Sequence, residues 1–559
     1  NTLYIGTKKG MYNLKNGKLS RYSPNTLKSN DFNKIPVNDI EFIDRYEIWY
    51  ATFGQGLFLQ DLGTIQNFDK NDGLKSGGMV FDMVNWKGKT YIATKNGLFV
   101  FSGGNISKHY KKEQGLPSNI ILDMDTYDGL DFIWLATSNG ISKFDGTSFI
   151  NYSKNLGLPA KLVTAIHVDR TKSNIVWTGS EKSGLTRFDD NGFFNFATQD
   201  GLPSNSIRDI TQSKNGDLII ACYNAGVVKY DGKTFKLFNN GLADKRVILV
   251  TNGPDGSIWA GTESAGVGVL NDDQFKMVID ADGLGHNEIF SLHYDGKRMW
   301  AGTFGGGVSC FSDDLWYTMS QADGLASSNV GAIISSKGKI LLGGNNGLSI
   351  FEENNAQFAL KFDKILTPKA EIPFQASMST LAGIINDRFF MTANAMVYNP
   401  ADAQVRYRYK TIKDGEASSW SKPQLSSQIS FVPNEVGDFQ FQVQAIDNRL
   451  RTSKIVTLPF SISRVWYLDP KTAVPFWGGI LLLIGFSVVN YINYRKKSKE
   501  AKDLRDAEIA RQQAEMEEAR EFQQAMLPKE MPSTDDYEMV GFQQTATEVG
   551  GDFFDFMQK

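Results

Sequence analysis

Eight residues near the end of the sequence combine glycines and carboxylates as a metal site requires. They read Glu548-Val549-Gly550-Gly551-Asp552-Phe553-Phe554-Asp555. The two glycines let the main chain approach a bound ligand closely, and Asp552 follows at the position where an oxygen ligand is wanted. The sequence therefore predicts a metal-binding turn here, and the elements before it must position and control that site.

Composition restricts the class of protein. A chain of 559 residues corresponds to about three or four domains. A net charge of −3 gives no reason to expect nucleic acid as a partner. The 53 glycines and 12% aromatic residues favour an all-β chain with many tight turns, and Cys222 and Cys310 provide no disulfide framework. We expect a piece of a longer protein, because the chain starts inside a repeat and ends inside a motif.

One phrase recurs through the first two thirds of the chain. It consists of an apolar pair, a small residue, Thr or Gly, a few polar residues, and then Gly before an apolar residue, as in Trp134–Ile141. Spacings of 40 to 46 residues with about four short strands per unit predict a β-propeller over residues 1–355. The anchor glycines are Gly10, Gly56, Gly97, Gly140, Gly184, Gly226, Gly266, Gly307 and Gly347. Nine anchors exceed the usual four to eight blades, so we expect the first to belong to a blade that is shared with an upstream segment or lies in it.

A second phrase lies between the anchors. It reads Gly115-Leu116-Pro117-Ser118-Asn119 in one repeat and recurs at Gly201–Asn205. Together with Trp300-Ala301-Gly302-Thr303, this phrase resembles the repeat of the two-component-regulator propeller family. The resemblance implies a periplasmic sensor, often of saccharides, whose ligand lies near a propeller face.

The sequence alone does not locate the ligand site, so the ligand-binding residues stay unknown. His286, His293 and Trp316 are candidates to line it, although a lone His or Trp in a repeat is more often a packing residue. Three Asp-Gly pairs resemble calcium ligands at first sight, but tight turns require the same residues. We therefore expect turns at Asp200-Gly201, Asp282-Gly283 and Asp323-Gly324.

Two stretches after the repeats alternate apolar and polar residues, as strands with one buried face do. They are Val405–Tyr409 and Phe439–Ala445, with Trp420 between them. Residues 360–465 resemble the three-tyrosine (Y_Y_Y) module, which implies an immunoglobulin-like β-sandwich that brings two subunits together near the membrane. Its aromatic positions are occupied here by Tyr407, Tyr409, Trp420 and Phe439, the last in place of a tyrosine.

Residues 473–494 contain no charged side chain and predict one transmembrane helix. About 22 residues at a rise of ~1.5 Å cross ~30 Å of hydrocarbon. Basic residues follow the span closely, whereas only Arg464 and Lys471 precede it closely. The following residues are Arg495, Lys496, Lys497, Lys499, Lys502 and Arg505. By the positive-inside rule, the C-terminus is cytoplasmic and the propeller lies in the periplasm, which predicts a single-pass protein of the bacterial inner membrane.

Residues 495–527 are expected to form a signalling helix. From residue 498 to about 526 they are rich in Ala, Glu, Lys, Arg and Gln and contain no Gly or Pro. An imperfect apolar stripe favours a homodimer over a solvated linker. Its members are Leu504, Ala507, Ala514, Phe522 and Ala525. No histidine follows His293, which disfavours the histidine kinase that often accompanies such propellers.

The elements around the metal motif resemble the start of SpoIIE-like phosphatases of the metal-dependent PPM superfamily. A helix ending in Leu527-Pro528 precedes an alternating strand and then the motif. The resemblance implies that Asp552 ligates one of two Mn²⁺ or Mg²⁺ ions. The other motif residues, namely Glu548, Gly550, Gly551 and Asp555, would shape and support that site. Residues 528–559 would then begin an α/β phosphatase domain, and its other metal ligands are expected beyond Lys559.

The predicted protein is a sensor whose extracytoplasmic propeller controls a cytoplasmic phosphoserine phosphatase. The resemblance implies a phosphorylated regulatory protein as substrate, such as an anti-sigma-factor antagonist, attacked by a metal-activated water. The chain up to Lys559 is not expected to catalyse by itself. Two alternatives stay open: a ligand-binding receptor without its own catalysis, and a diguanylate cyclase, since Gly-Gly-Asp also opens the GGDEF signature. Phe553-Phe554-Asp555 and the short distance from Pro528 count against the cyclase.

Overall fold

The structure, a computed structural model, describes most of the chain and is mainly β. The described residues are 2–15, 18–22, 36–42, 47–54, 56–61, 65–74, 79–353, 357–368, 370–373, 380–396 and 405–526. They divide into two compact units, residues 1–462 and 463–559. The first unit holds a β-propeller and a β-sandwich, and the second holds one long helix.

Seven four-stranded antiparallel sheets form the blades of the propeller. The first four blades, each from innermost to outermost strand, are blade 1 (Val80–Trp86, Lys89–Thr94, Gly97–Ser102, Asn105–Tyr110), blade 2 (Ile121–Asp125, Ile133–Thr137, Gly140–Phe144, Phe149–Tyr152), blade 3 (Val163–Val168, Val176–Ser180, Leu185–Asp189, Gly192–Phe196) and blade 4 (Ile207–Gln212, Leu218–Cys222, Gly226–Tyr230, Phe235–Phe238). The others are blade 5 (Val247–Asn252, Ile258–Thr262, Val267–Asn271, Gln274–Val278), blade 6 (Ile289–Tyr294, Met299–Thr303, Val308–Ser312, Leu315–Met319) and blade 7 (Val330–Ser336, Lys339–Gly344, Gly347–Phe351, then Ile65–Phe68). The innermost strands of successive blades contact one another, and those of blades 7 and 1 complete the circle.

The ring closes through the strand Ile65–Phe68, which pairs antiparallel with Gly347–Phe351 of blade 7. Asn67 reinforces this pairing with its side-chain amide. Its Nδ2 donates to the carbonyl oxygen of Gly324 at 2.8 Å, and its Oδ1 accepts from the Ser349 hydroxyl at 2.7 Å. The ring thus occupies residues 65–351 of the predicted range 1–355.

The repeated phrases form this fold for local reasons. The second strand of a blade, such as Ile133–Thr137, is buried along its whole length because neighbouring blades cover both its faces. The anchor glycine supplies the turn that follows: Gly140 has φ 96°, and a Cβ there would lie 2.2 Å from the Tyr152 carbonyl oxygen. In the second phrase, Leu116 is buried, and Asn119 Oδ1 accepts from the Lys112 backbone N–H at 2.8 Å. The period of the sequence is therefore the period of the blades.

Two three-stranded antiparallel sheets precede the ring. Their strands are Thr2–Thr7, Gly10–Lys15 and Lys18–Tyr22 in the first sheet, and Val37–Phe42, Glu47–Thr52 and Gly56–Asp61 in the second. The anchors Gly10 and Gly56 belong to these sheets and not to the ring. Nine sequence anchors therefore correspond to seven blades and two further sheets.

The β-sandwich consists of two sheets that share one core. The first sheet contains, in spatial order, Glu371–Pro373, Ala359–Leu366, Phe389–Met396 and Gln428–Phe431. The second contains Leu381–Ile384, Val456–Ser463, Gly437–Ile446, Arg406–Lys413 and Glu416–Ala417. Buried phenylalanines from both sheets meet in the core, which includes Phe389, Phe431, Phe441 and Phe460. The alternation in the sequence thus places one face of each strand on this core.

One helix, α1, runs from Pro470 to Ala525 without interruption. Asp469 caps its first turn, since its side chain accepts a hydrogen bond from the Lys471 backbone N–H at 3.0 Å. Helix α1 includes both the predicted transmembrane segment 473–494 and the signalling helix predicted for 495–527, up to its last turn. It is the one helix in the described part of the chain that is long and apolar enough to cross a membrane.

Candidate functional site

The predicted metal motif lies outside the described residues. The described residues end at Met526, so the roles of Glu548, Gly550, Gly551, Asp552 and Asp555 stay predictions. Among the described residues, no group of three or more His, Cys, Asp or Glu side chains is arranged to hold a metal ion. The candidate site that the structure describes is therefore on the propeller.

The three sequence candidates for ligand binding do not form one site. His286 is exposed, and its Nδ1 accepts the Glu288 backbone N–H at 3.0 Å. His293 lies on the innermost strand of blade 6, where burial lowers its pKa and its Nε2 lies 3.0 Å from the Ser335 hydroxyl. Trp316 is 2% exposed and packs against Trp259 in the core between blades 5 and 6. His293 and Trp316 are packing residues.

The Asp-Gly pairs are turns, as their residue types indicate. At Asp323-Gly324, the carboxylate accepts the Ser320 backbone N–H at 2.9 Å, and Gly324 has φ 105°. The pairs beginning at Asp200 and Asp282 cap their turns in the same way. Their carboxylates are thus engaged by the backbone that they cap.

A charged network lies where the turns between second and third strands meet the starts of the innermost strands. It begins at Arg208, the bulge residue of blade 4. Arg208 Nη2 binds Glu181 Oε1 of blade 3 at 3.2 Å, and its guanidinium lies 4.7 Å from the centroid of the Tyr223 ring. Tyr223 Oη in turn donates to Glu263 Oε2 of blade 5 at 2.9 Å, and this hydrogen bond raises the pKa of Tyr223 above its ordinary value.

The second half of this network is centred on Arg246. Arg246 Nη1 contacts Glu263 Oε2 at 2.5 Å, and its Nε and Nη2 donate to the two oxygens of Asp244 at 2.9 Å each. Burial alone would raise the pKa of Asp244, but the hydrogen bonds from Arg246 and Ser264 outweigh it and hold that pKa below its ordinary value. We call these seven residues the face network: Glu181, Arg208, Tyr223, Asp244, Arg246, Glu263 and Ser264.

The face network joins blades 3, 4 and 5 and is partly open to solvent. The Arg246 and Glu263 side chains are 41% and 35% exposed. The guanidinium group presents a rigid fork of N–H donors that matches the geometry of carboxylate groups. Sequence reasoning missed this network because it has no motif. The available signal was Arg208 itself, since the bulge residues of the other blades are uncharged, namely Phe81, Leu122, Thr164, Ile248, Phe290 and Gly331.

Three aspartates at the equivalent position of the innermost strands link successive blades. Asp82 Oδ2 accepts the Met124 N–H at 2.9 Å, Asp123 Oδ2 accepts the Ile166 N–H at 2.7 Å, and Asp209 Oδ2 accepts the Val250 N–H at 2.8 Å. Burial raises the pKa of all three carboxyls, that of Asp82 to about 7, and repulsion from neighbouring carboxylates, including Asp125 in each case, adds to this shift. Each carboxylate compensates backbone donors that the bulges leave unpaired.

These carboxyls make the stability of the propeller depend on pH. A raised pKa in the folded state means that the stability is complete below pH 4 and falls as pH rises through about 7. We expect the free energy of unfolding of Asp82→Asn, relative to that of the wild type, to be roughly 2 kcal/mol higher at pH 8 than at pH 4, because the variant has no carboxyl to ionise in the folded state. Denaturation followed by tryptophan fluorescence in detergent measures this difference.

The matched control has the opposite sign. Thr147 and Ser148 hydrogen bonds hold the pKa of Asp145 below its ordinary value, so Asp145→Asn should lose stability at pH 8 and lose none at very low pH. A pH dependence of Asp82→Asn identical to that of the wild type contradicts the assignment.

The sandwich contacts the outer strand of blade 6 through two arginines. Arg406 is 8% exposed; its Nη1 donates to the Trp316 carbonyl oxygen at 2.6 Å, and its guanidinium lies 4.8 Å from the Tyr317 ring centroid. Arg408 Nη1 lies 3.4 Å from Asp313 Oδ2. Leu450 packs on the core between blades 6 and 7. These contacts couple the propeller to the sandwich.

In the part of the chain that the structure describes, residues 65–463 thus form a closed seven-bladed β-propeller followed by a β-sandwich. Residues 401–463 match the Y_Y_Y domain, which confirms the resemblance of the sandwich over that range. Its predicted aromatic residues are in or beside the core: Tyr407 and Phe439 are buried, and Tyr409 stacks on Phe441. Trp420 instead lies 4.9 Å from the cationic groups of both Arg408 and Lys410.

Several solved structures resemble the chain. The extracellular domain of BT3049 from B. thetaiotaomicron, described as a hybrid two component system, is 20% identical with a TM-score of 0.49, covering 82% of this chain and 76% of that one. The extracellular domain of BT4673 from the same organism, described as a one component system, is 17% identical with a TM-score of 0.45, covering 83% and 67%. PorZ of Porphyromonas gingivalis is 15% identical with a TM-score of 0.42, covering 83% and 70%. No curated protein matches the chain.

Proposed function

We propose that the protein is a single-pass membrane sensor whose propeller and sandwich lie outside the cytoplasm and control a cytoplasmic phosphatase. The order of elements carries this proposal, because β-domains, an apolar helix and a basic helical extension follow one another without a break. The two similar solved structures from B. thetaiotaomicron are described as extracellular domains, and we propose the same location for the propeller and sandwich of this chain.

The apolar part of α1 supports the membrane assignment. Leu481, Leu482 and Leu483 are 68%, 77% and 67% exposed, and no charged residue occurs between Ala473 and Tyr494. Apolar surface of this extent on a helix of this length is stabilised by lipid. By the positive-inside rule, the basic residues that begin at Arg495 support a cytoplasmic location for the C-terminal part of α1.

The orientation of the protein in the membrane can be measured with cysteine labelling, because the two native thiols are not expected to react. Cys222 and Cys310 are buried, and burial raises the pKa of Cys222 to about 12 and that of Cys310 further above its ordinary value. We expect a membrane-impermeant maleimide to label Ser419→Cys, which lies in an exposed loop of the sandwich, in intact spheroplasts. We expect no labelling of Ser498→Cys on the basic part of α1 until detergent is added.

The unsubstituted chain is the control for background labelling. Labelling of Ser498→Cys but not of Ser419→Cys in intact spheroplasts would indicate the opposite orientation of the protein in the membrane. Equal labelling of both in intact spheroplasts would contradict a membrane span between them.

The output that we propose is hydrolysis of phosphoserine on a regulatory protein, such as an anti-sigma-factor antagonist. Its support is the motif Glu548–Asp555 and its separation from the helix end at Leu527-Pro528. Asp552 would hold a Mn²⁺ or Mg²⁺ ion, and the ion would lower the pKa of a bound water. The proposal includes a homodimer formed through the cytoplasmic part of α1 and an extracytoplasmic ligand, with a saccharide as the class implied by the propeller family.

A further inference from the structure

One tryptophan of the propeller lacks the hydrogen bond that its equivalents make. The second strands of blades 2, 3, 5 and 6 carry tryptophan at the same position. In three of them the indole N–H donates within the blade: Trp177 to Asp169 at 3.3 Å, Trp259 to Ser257 at 3.0 Å and Trp300 to Asp295 at 2.7 Å. The indole Nε1 of Trp134 in blade 2 has no partner in the described structure, although Trp134 is only 3% exposed.

The missing partner has a local cause. In blades 3 and 6 an aspartate directly follows the innermost strand and accepts the indole proton, as Asp169 and Asp295 do. Asp169 and Asp295 lie two residues after the residue that pairs with the tryptophan, and in blade 2 this position is Tyr127, since Asp125 pairs with Trp134. The Tyr127 ring packs 4.9 Å from the Arg170 guanidinium. Asp125, the last residue of this strand, is already engaged by Arg170 Nη2 at 2.6 Å. A buried N–H without an acceptor costs about 1–3 kcal/mol, and an external acceptor can remove this cost.

Trp134 lines a cleft of about 520 Å³ between blades 2 and 3, a volume within the range of small-molecule sites. Aromatic side chains, including Phe132 and Tyr152, form part of its wall, and the Lys143 ammonium lies 3.7 Å from the Phe132 ring centroid. Asp190 lies at the same cleft and accepts from Asn174 Nδ2 at 2.9 Å. The cleft thus combines apolar ring faces, a cation and a carboxylate with a tryptophan whose indole N–H has no acceptor in the described structure.

We propose that this blade 2–3 cleft binds a neutral saccharide. The C–H face of a sugar ring fits an aromatic wall, its hydroxyl oxygens accept from Trp134 Nε1 and Lys143 Nζ, and its hydroxyl protons go to Asp190. Lys143 moves off the Phe132 ring to admit the sugar. The inference deepens the sensor proposed above and rests on it for the role of the saccharide as a signal. Binding itself is independent of which side of the membrane the propeller faces.

The test uses the whole protein in detergent on an array of neutral oligosaccharides, followed by titration of the oligosaccharides that bind. Trp134→Phe keeps the aromatic ring and removes the N–H, and we expect it to weaken binding about tenfold. The matched control is Trp259→Phe, which removes an indole N–H in the cleft between blades 5 and 6 and should leave affinity unchanged.

A second variant avoids the core. Asp190 is exposed, so Asp190→Asn should fold normally and weaken binding by a few fold. The proposal is overturned if no neutral oligosaccharide binds, if Trp134→Phe and Asp190→Asn both bind like the wild type, or if Trp259→Phe has the larger effect. The cysteine labelling reports on membrane sidedness alone, so failure of the sensor topology and failure of this site give different results.

Discussion

Asn67→Ala is expected to lower the free energy of unfolding of the propeller by about 3 kcal/mol and to release the closing strand. The substitution removes two hydrogen bonds, to the Gly324 carbonyl and from the Ser349 hydroxyl. Ser349 is 2% exposed and still accepts the Ala326 backbone N–H at 2.9 Å, but its hydroxyl proton loses its only acceptor among the described residues, at a cost of about 1–3 kcal/mol for a buried group. Hydrogen exchange should then accelerate in Gly347–Phe351, the strand that Ile65–Phe68 covers.

Blade 2 contains a matched control for this effect. Asn151 Nδ2 donates to the Gly115 carbonyl at 2.9 Å, and its Oδ1 accepts from the Ser142 hydroxyl at 2.7 Å. Asn151→Ala therefore removes the same chemistry from a strand that is continuous with its own blade. We expect a similar loss of stability but faster exchange only near Gly140–Phe144, with the ring still closed.

The comparison isolates ring closure from the loss of hydrogen bonds. Unchanged exchange of Gly347–Phe351 in Asn67→Ala would show that the strand Ile65–Phe68 holds without the asparagine. Equal acceleration of blade 7 in both variants would show that the ring opens as one cooperative unit irrespective of where it is weakened.

Asp552→Ala is expected to abolish manganese-dependent phosphate release from a phosphoserine peptide, by a factor of about a hundred or more. The reason is the proposed role of this carboxylate as a direct metal ligand, without which the ion cannot activate water. Asp555→Ala should have a smaller effect, about tenfold, because a supporting acid orients ligands without replacing them. The measurement requires the full-length protein with Mn²⁺ added and with a chelator added.

The control for general damage is Asp536→Ala, which lies in the same region of the chain but outside the motif. This variant should keep full activity. Wild-type activity in Asp552→Ala would rule out its role as a ligand. Consumption of GTP without phosphate release from the peptide would instead favour the cyclase. The absence of both reactions would favour a receptor that acts only through partner proteins.

Much of the fold was predictable because each repeat is determined by residues that are close together in the sequence. Anchor glycines such as Gly140 need a positive φ, and the leucine of the second phrase is buried in each blade that has it, so strands and turns follow from short stretches. Ring closure was not predictable in this way. The strand Ile65-Gln66-Asn67-Phe68 resembles other outer strands such as Phe149–Tyr152, and its pairing with a strand about 280 residues later is decided by the circle as a whole.

The candidate sites also differ in how far they can be predicted from short stretches of sequence. Asp552 is visible in the sequence because its neighbours form a motif, but it lies outside the described residues. The sequence does not distinguish Trp134 as a site residue, because four blades carry a tryptophan at this position. Only the loop residue Tyr127 differs from the aspartate found in blades 3 and 6. The role of Arg208 in the face network similarly could not be predicted, because its contacts with Glu181 and Tyr223 depend on the fold.

The closing strand also determines how the ring responds to force. In the register of blade 7, Ile65 pairs with Phe351, so the chain enters and leaves the ring at neighbouring points of one sheet. The upstream sheets are attached at one of these points and the sandwich at the other. Tension between them would load this ladder in an unzipping geometry, in which hydrogen bonds break one after another, and not in shear, in which they resist together. The seam of blade 7 is therefore the connection of the ring that such tension loads strand end first, and along the chain it joins the two parts that flank the propeller.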